Sequence, residues 1–302
     1  MSLPLTLRQI QVFDAVARLK SHTQAARELN LTQPAVSQQI KQLEENVRAR
    51  LLNSVGRKIQ LTDAGQAVLA HGRAILQELE NLDTELDNLK GLKSGSLRIS
   101  AVTTVNYFAP PLLRKFCEQF PGIDVSMNVA NQQDLLEQLS ENQVDIAIMG
   151  QPPESANLDA IAFLENPLVI VAPAGHPRAG KRKVPLSSLA DEVFLMREPG
   201  SGTRDAMERI FREHDIPITS GIEVSGAEAL KQSVQAGLGL ALMSRHAVQM
   251  ELALGRVAEL NVRGFPIIRA WYLVTRAGRN LPAPVVAFRD FVQAEAKALL
   301  AP

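Results

Sequence analysis

Between Thr32 and Lys41 the chain reads TQPAVSQQIK. Gln33, Ser37 and Lys41 recur at steps of four, with Gln38 beside Ser37, so a helix gathers these side chains on one face. Ala35, Val36, Ile40 and Leu43 fall on the other face. The outward face carries amide, hydroxyl and ammonium groups, with no carboxylate before Glu44. Such groups suit hydrogen bonds to base edges in a DNA major groove and to phosphates. Thr32 is placed to cap the helix. Pro34 sits in its first turn, where a missing N–H costs nothing. The plain alternative is a solvated helix face.

A second stretch, Glu198-Pro199-Gly200-Ser201-Gly202-Thr203-Arg204, offers different chemistry. Gly200 and Gly202 expose backbone N–H groups, Ser201 and Thr203 bring hydroxyls, and Arg204 brings a charge. At a helix start this combination cradles an anion. A well-capped turn would look similar. Thr103-Thr104 follows one predicted strand and Met149-Gly150-Gln151 another, both at strand C-terminal ends, where open α/β sheets bind ligands. All three stretches can face one cleft.

Nothing points to catalysis. Gly200-Ser201-Gly202 is not a nucleophile elbow, because Pro199 precedes it and Gly202 follows Ser201 directly. His22, His71, His176, His214 and His246 are scattered without metal-ligand spacing. Asp145 reads as a scaffold cap or ion pair. Cys117, the single cysteine, lies beside Phe116 and Phe120 and reads as a structural thiol. One cysteine allows no disulfide within the chain and no cysteine zinc site. No enzyme activity, cofactor or metal is expected.

The elements that must position these groups follow from periodicity. Residues 5–19 form an amphipathic helix with Leu7, Ile10, Phe13, Val16 and Ala17 at helical spacing and Thr6 as cap. Ser21–Glu45 holds two helices joined at Asn30-Leu31-Thr32, a helix-turn-helix whose recognition helix is Pro34–Glu44. Val55-Gly56-Arg57-Lys58 signals a turn and Lys58–Leu61 alternates like a strand. This predicts a small wing with Arg57 and Lys58 toward phosphates. A long helix from Asp63 to Leu89 then carries Ile75, Leu79, Leu82, Leu86 and Leu89 at coiled-coil spacing and is expected to pair with its copy.

Beyond Gly91-Leu92-Lys93-Ser94-Gly95 the pattern changes to alternating strands and helices, read as βα units building a parallel sheet. Strands are predicted at 97–102, 123–129, 144–150, 168–173, 193–196, 222–224, 238–244 and 269–275. Helices are predicted at 105–119, 134–142, from about 203 to 214, and at 227–236 and 284–300. Residues 269–275 are expected to return to the first half, giving two similar lobes with crossing strands. The domains expected are 1–65 for the helix-turn-helix, 66–92 for the linker helix and 93–302 for a ligand-binding unit. Within that unit, lobe I covers about 93–167 and 267–302 and lobe II about 168–266.

Composition fits this plan. A chain of 302 residues suggests two or three domains. The formal net charge is zero, from 32 basic and 32 acidic residues, which argues against a general polyanion binder. Residues 1–65 nonetheless hold nine Lys and Arg against five Asp and Glu, concentrating positive charge where the helix-turn-helix lies. No run approaches the ~20 apolar residues that span a bilayer, and MSLPLTLRQIQVF lacks signal-peptide character. No membrane association and a cytoplasmic location are expected.

The run LRQIQVFDAVARLKSHTQAARELNLTQPAVSQQIKQLEE, continuing to GRKIQLTDAG, closely resembles the LysR-type transcriptional regulators. The second domain resembles that family's effector domain. Three stretches, NQQDLLEQLSENQVDIAIMGQPP, FLMREPGSGTRDAMER and GFPIIRAWYLV, look like the regulators of Calvin-cycle carbon-fixation operons. The resemblance implies an all-α winged helix-turn-helix with a long linker helix, then an α/β two-lobed, periplasmic-binding-protein-like effector domain. It implies a homodimer assembling into a homotetramer on double-stranded DNA with a dyad site. A metabolite bound between the lobes would change how the tetramer bends DNA. Phosphorylated sugars or acids and NADPH are the implied effectors, and RNA polymerase is among the partners it allows. The chain departs from the family at Val47-Arg48-Ala49-Arg50-Leu51-Leu52-Asn53-Ser54, where Arg48 replaces a usual glycine and Ser54 a usual arginine. The alternative is a small-molecule-binding or metabolic α/β protein that uses its N-terminal helices only for assembly.

Overall fold

The computed structural model describes residues 4–55, 58–89, 95–153, 157–217, 220–278 and 281–300. They form two compact units that divide near residue 92.

In the first unit, helices α1 (Leu7–Leu19), α2 (His22–Glu28) and α3 (Gln33–Val47) precede a two-stranded wing, β1 (Leu52–Val55) and β2 (Lys58–Leu61). Helix α4 (Asp63–Leu89) follows. Thr6 and Gln9 form a reciprocal capping box at the start of α1, which satisfies two otherwise unpaired N–H groups. The three helices close around Val12, Phe13, Val16, Ala25, Ala26, Val36, Ile40 and Leu43, all buried. Alanines at 25 and 26 let α2 pack closely against its neighbours.

Two positions explain how the chain turns. Arg48 ends α3 with φ 55° in the left-handed region, where glycine is at ease and a larger residue costs about 1 kcal/mol. Gly65 lies in the first turn of α4. A Cβ added to it would stand 2.2 Å from the Leu51 carbonyl oxygen, so only glycine lets α4 start beside β1.

Along α4, Ile75, Leu79, Leu82 and Leu86 are all exposed large apolar residues. The Leu89 side chain lies outside the described residues.

The second unit contains β3 (Gly95–Val102), α5 (Ala109–Gln119), β4 (Ile123–Ala130), α6 (Gln132–Ser140), β5 (Ile146–Met149) and β6 (Leu158–Pro173). Then come β7 (Phe194–Arg197), α7 (Gly202–Glu213), β8 (Ser220–Val224), α8 (Ala227–Gln235), β9 (Ala241–Ser244), α9 (Arg245–Ala253), β10 (Val257–Leu260), β11 (Ile267–Arg276) and α10 (Ala283–Leu299). The main sheet runs β10-β6-β11-β5-β3-β4, with β9 also on β6. Strand β11 pairs antiparallel along its whole length with residues 158–168 of β6, and the rest of β6 pairs with β9 and β10. The first half of β6 packs Phe163 into the core around Phe116, Phe288 and Trp271. Its second half packs Leu168, Ile170 and Ala172 with Phe194 and Phe211. These crossing strands therefore join two lobes with separate cores.

Several expectations change. The sheet is mixed: β3 is parallel to β4 and β5, while β6, β9, β10 and β11 pair antiparallel. The helix expected at 105–119 is a 3-10 turn over Thr103–Tyr107 followed by α5. Pro110 and Pro111 lack an N–H and belong in a first turn, so the break falls at Phe108. Cys117 is exposed rather than packed away, because Phe116 takes the core side of α5 and the next residue is turned about 100° from it. Asp145 is buried in the scaffold, accepting from the Arg98 backbone N–H at 2.8 Å and pairing with its guanidinium at 2.8 Å.

Gly65→Ala is expected to lower the stability of the first unit by about 2 kcal/mol, read as an earlier helix-melting transition by circular dichroism. An unshifted transition would show that α4 and β1 can move apart freely.

Candidate nucleic-acid interface and ligand cavity

Helix α3 presents Gln33, Pro34, Gln38 and Lys41 to solvent, with Ser37 half-buried. Thr32 Oγ1 accepts from the Ala35 N–H at 3.4 Å, capping the helix as expected. Gln33 Nε2 donates to Ser37 Oγ at 3.0 Å. Glu44, the first carboxylate on α3, is turned away. Its Oε1 accepts from the Leu51 N–H at 2.7 Å and the Leu52 N–H at 3.2 Å, which ties α3 to the wing. Lys41 Nζ is 3.9 Å from Glu45 in an exposed pair that holds the ammonium only weakly. The face thus offers donors and a mobile cation with little opposing charge. Arg57 lies outside the described residues, as does the Lys58 side chain, while the Lys58 backbone opens β2. Arg48 and Arg50 line a shallow groove with Lys41 and His22.

In the second unit a cavity of about 40 Å³ lies between the lobes. It brings together Thr103, Thr104, Gly150, Gln151, Ser201, Gly202 and Thr203, as the sequence suggests. Ser201 occupies the N-cap position of α7 without a side-chain capping hydrogen bond, and Ser201, Gly202 and Thr203 bring that helix start to the cavity. Gln132 reaches across from α6. A Cβ on Gly202 would meet Gln132 Oε1 at 2.3 Å, so glycine is what allows the two helix starts this close.

Three predicted residues are not part of the lining. Arg204 pairs with Glu208 at 2.9 Å and Glu223 at 2.6 Å, and donates to the Arg197 carbonyl at 2.9 Å. Its charge is consumed on the far side of α7. Met149 is fully buried with Leu135, Ala147 and Val274, because alternation along β5 turns it away. Gly200 forms the preceding turn at φ 80°.

Two other arginines, Arg197 and Arg269, not among the residues singled out from the sequence, line the cavity. Arg197 is buried and held by Glu198, with both contacts at 2.7 Å, and its Nη2 reaches Thr103 Oγ1 at 3.3 Å. Burial pushes the Glu198 carboxyl up, but Arg197 and the Gly226 N–H outweigh it and leave the carboxyl lowered. Arg269 is different. Its guanidinium donates to the Gly202 carbonyl at 3.4 Å, and among the described residues no ion pair neutralises it. Burial, then the nearby charge of Arg209, lower its proton affinity, and Tyr272 and Asp205 offset this only in part. Asn166 Oδ1 and Trp271 Nε1, also on the cavity wall, are buried without a hydrogen-bond partner. Unsatisfied polar atoms in a wall cost about 1–3 kcal/mol each until a partner arrives. A desolvated cation beside an unused N–H donor is suited to a small anion.

The lobes are also tied by Tyr107, whose hydroxyl donates to Glu228 of α8 at 2.7 Å while Lys231 lies 4.7 Å above its ring. Among the described residues no group of three or more His, Cys, Asp or Glu is placed to hold a metal ion. No described helix is long and apolar enough to cross a membrane.

Comparison with known proteins gives two family matches. Residues 7–66 match the bacterial regulatory helix-turn-helix protein, lysR family, and residues 90–297 match the LysR substrate binding domain. The chain is 47% identical to the RuBisCO operon transcriptional regulator of Allochromatium vinosum, covering 97% of each. It is similar to the regulatory domain of Synechocystis PCC6803 CcmR solved in complex with 2-PG, with TM-score 0.64 and 38% identity, covering 67% of this chain and 97% of that one. Full-length CbnR complexed with its target DNA shares the fold, with TM-score 0.68 and 21% identity over 96% of this chain and 99% of that one.

Arg269→Met, which removes an uncompensated half-buried charge, is expected to stabilise the ligand-free protein by about 1 kcal/mol in urea unfolding. Destabilisation of that size would mean the guanidinium is satisfied within the fold.

Proposed function

Because the chain belongs to the LysR family of bacterial transcriptional regulators, we propose that it controls carbon-fixation genes by reading a dyad DNA site under the control of a small anionic metabolite. The family and the relative named as a RuBisCO operon regulator support the target. The observation that carries the effector half is Arg269: a half-buried cation with no ion pair among the described residues, lining a cavity whose wall also holds unpaired Asn166 and Trp271. A phosphorylated acid such as 2-phosphoglycolate supplies acceptors for the Arg269 guanidinium and the Trp271 N–H, whereas Asn166 Oδ1 needs a donor such as a ligand hydroxyl or water. NADPH would offer the same phosphate chemistry with a larger body.

A cavity of about 40 Å³ has room for only a few waters. Binding therefore requires Gln132 to swing away or the lobes to part, and it exchanges the contacts across Gly202 for contacts to the ligand. Two lobe arrangements with different ligand affinity are what a metabolite needs in order to shift an equilibrium. In this reading Gln33, Ser37, Gln38 and Lys41 contact bases and phosphates, with Thr32 and Pro34 at the approach and Arg57 and Lys58 on flanking phosphates. The exposed stripe Ile75, Leu79, Leu82 and Leu86, extended by Leu89, pairs two copies so that two α3 helices meet two half-sites. Dimers then associate into tetramers, and contact with RNA polymerase follows on DNA.

Binding to a duplex from the chain's own upstream DNA should weaken steeply with added salt, and Lys41→Ala should reduce it by about tenfold. Salt-insensitive binding would contradict a phosphate-contacting face. The double change Leu79→Glu with Leu82→Glu should move the protein toward monomer in sedimentation; an unchanged mass would place the dimer contact elsewhere. In calorimetry with 2-phosphoglycolate, Arg269→Gln should lower affinity at least about tenfold and Arg204→Gln less than about threefold, in keeping with a charge-assisted contact present only at the former. The reverse order would return the anion site to Arg204.

A further inference from the structure

The face of α3 is connected to the inside of the first unit through one hydroxyl. Ser37 Oγ, which accepts from Gln33 Nε2 at 3.0 Å, stands 3.3 Å from Nδ1 of His22, the first residue of α2. Three side chains therefore lie in series, from an exposed amide through a half-buried hydroxyl to a half-buried imidazole.

A hydroxyl has one proton and two lone pairs. Gln33 occupies one lone pair. When His22 is neutral with Nδ1 bare, Ser37 gives its proton to Nδ1 and has only its remaining lone pair to offer outward. When His22 is protonated, Nδ1–H donates into that second lone pair, and the Ser37 proton is released to point outward. We propose that His22 sets the hydrogen-bond polarity of Ser37, and so decides whether α3 presents an acceptor or a donor to DNA at that position. An acceptor matches the amino groups of adenine and cytosine. A donor matches guanine and thymine oxygens or a phosphate. The proposal rests on α3 being the recognition helix.

The surroundings favour the acceptor state near neutrality. Burial lowers the imidazole's proton affinity from its ordinary value, and the charge of Glu44 only partly offsets this. The charged groups that share the groove with His22 are Lys41, Glu44 and Glu45 of α3, with Arg48 and Arg50 beyond it. Lys20 precedes it by two residues. Glu44 is engaged with the Leu51 and Leu52 N–H groups and with Arg50 at 3.8 Å. Among these residue types only the imidazole ordinarily titrates between about pH 5 and 8.

The probe is a duplex selected from random-sequence DNA by the full-length wild-type protein at about pH 8, compared with its scrambled sequence by fluorescence anisotropy. Lowering the pH to about 5.5 should reduce the wild-type preference for the selected duplex by about tenfold, the size of one mismatched hydrogen bond to a base. His22→Asn places an amide oxygen near the Nδ1 position and accepts the Ser37 proton at every pH. It should keep the preference at about pH 8 within about threefold, and that preference should then be flat with pH. His22→Phe, which fills the space without a partner, should lose about tenfold at both pH values. Because only the wild type carries the switch, comparison with His22→Asn cancels any pH effect that does not pass through His22. The proposal is overturned if His22→Asn follows the wild-type pH profile or if His22→Phe matches the wild type. Ser37→Ala separates the two levels. If it weakens binding while His22→Phe does not, only the role of His22 fails. If Ser37→Ala and Lys41→Ala both bind as the wild type, α3 is not the reading helix and both claims fall.

Discussion

A half-buried guanidinium with no ion pair to hold it among the described residues is the constraint that organises the second unit. Arg269 sits on β11, one of the two strands that pass through both lobes, so its position is fixed by the element that joins them. Its guanidinium's hydrogen bond to the Gly202 carbonyl ties it to the start of α7 in the opposite lobe. Burying a charge in this way costs free energy that folding alone does not recover. The unused Trp271 N–H and Asn166 oxygen on neighbouring strand positions add to that cost. The wall is polar where a stability-optimised core would be apolar, which is how a site differs from a scaffold.

The rest of the unit reads as the means of holding that cation in place and letting its surroundings move. Glu198 neutralises Arg197, and Glu208 and Glu223 neutralise Arg204, so two of the three arginines near the start of α7 are taken up internally. Gly202 brings α6 and α7 together, and Tyr107 with Glu228 ties the lobes at a second point. Both contacts are polar and small, suited to exchange for contacts with a ligand. The first unit uses the same economy of charge. Glu44, the acid that would repel phosphate from α3, is turned inward to fasten the wing.

The DNA-reading half was the more legible in the sequence because its signals are local. The Thr32 cap, the early proline and the four-residue recurrence of Gln33, Ser37 and Lys41 each act within one helix, Gln33–Val47. The spacing of Ile75, Leu79, Leu82 and Leu86 was readable for the same reason. The ligand cavity was half legible. Thr103, Thr104, Gly150, Gln151 and Ser201–Thr203 sit at strand ends and a helix start, where topology alone directs attention. Arg269 escaped because it lies inside a strand, and strand residues face a cavity only through pairings made more than a hundred residues away. A signal did exist: Arg269 and Trp271 share one face of RAWYLVT, and a charge there is out of place unless something meets it. Arg204 misled in the opposite way. Glu208, four residues on, was already positioned to take its charge. The mixed sheet was hidden because Leu158–Pro173 interrupts its apolar run with Glu165, Asn166 and Pro167, so the crossing strand looked half its length.

The central claim is that a ligand at Arg269 and DNA at α3 are read by one molecule. The direct measurement is the dissociation constant of 2-phosphoglycolate by calorimetry, with and without saturating dyad duplex, alongside the duplex affinity with and without saturating 2-phosphoglycolate. Linkage requires the two ratios to be equal, and a coupling of about 1 kcal/mol or more, roughly fivefold, is predicted. Both ratios should collapse to one in Arg269→Gln. Ratios of one in the wild-type protein, with both ligands bound, would contradict the account.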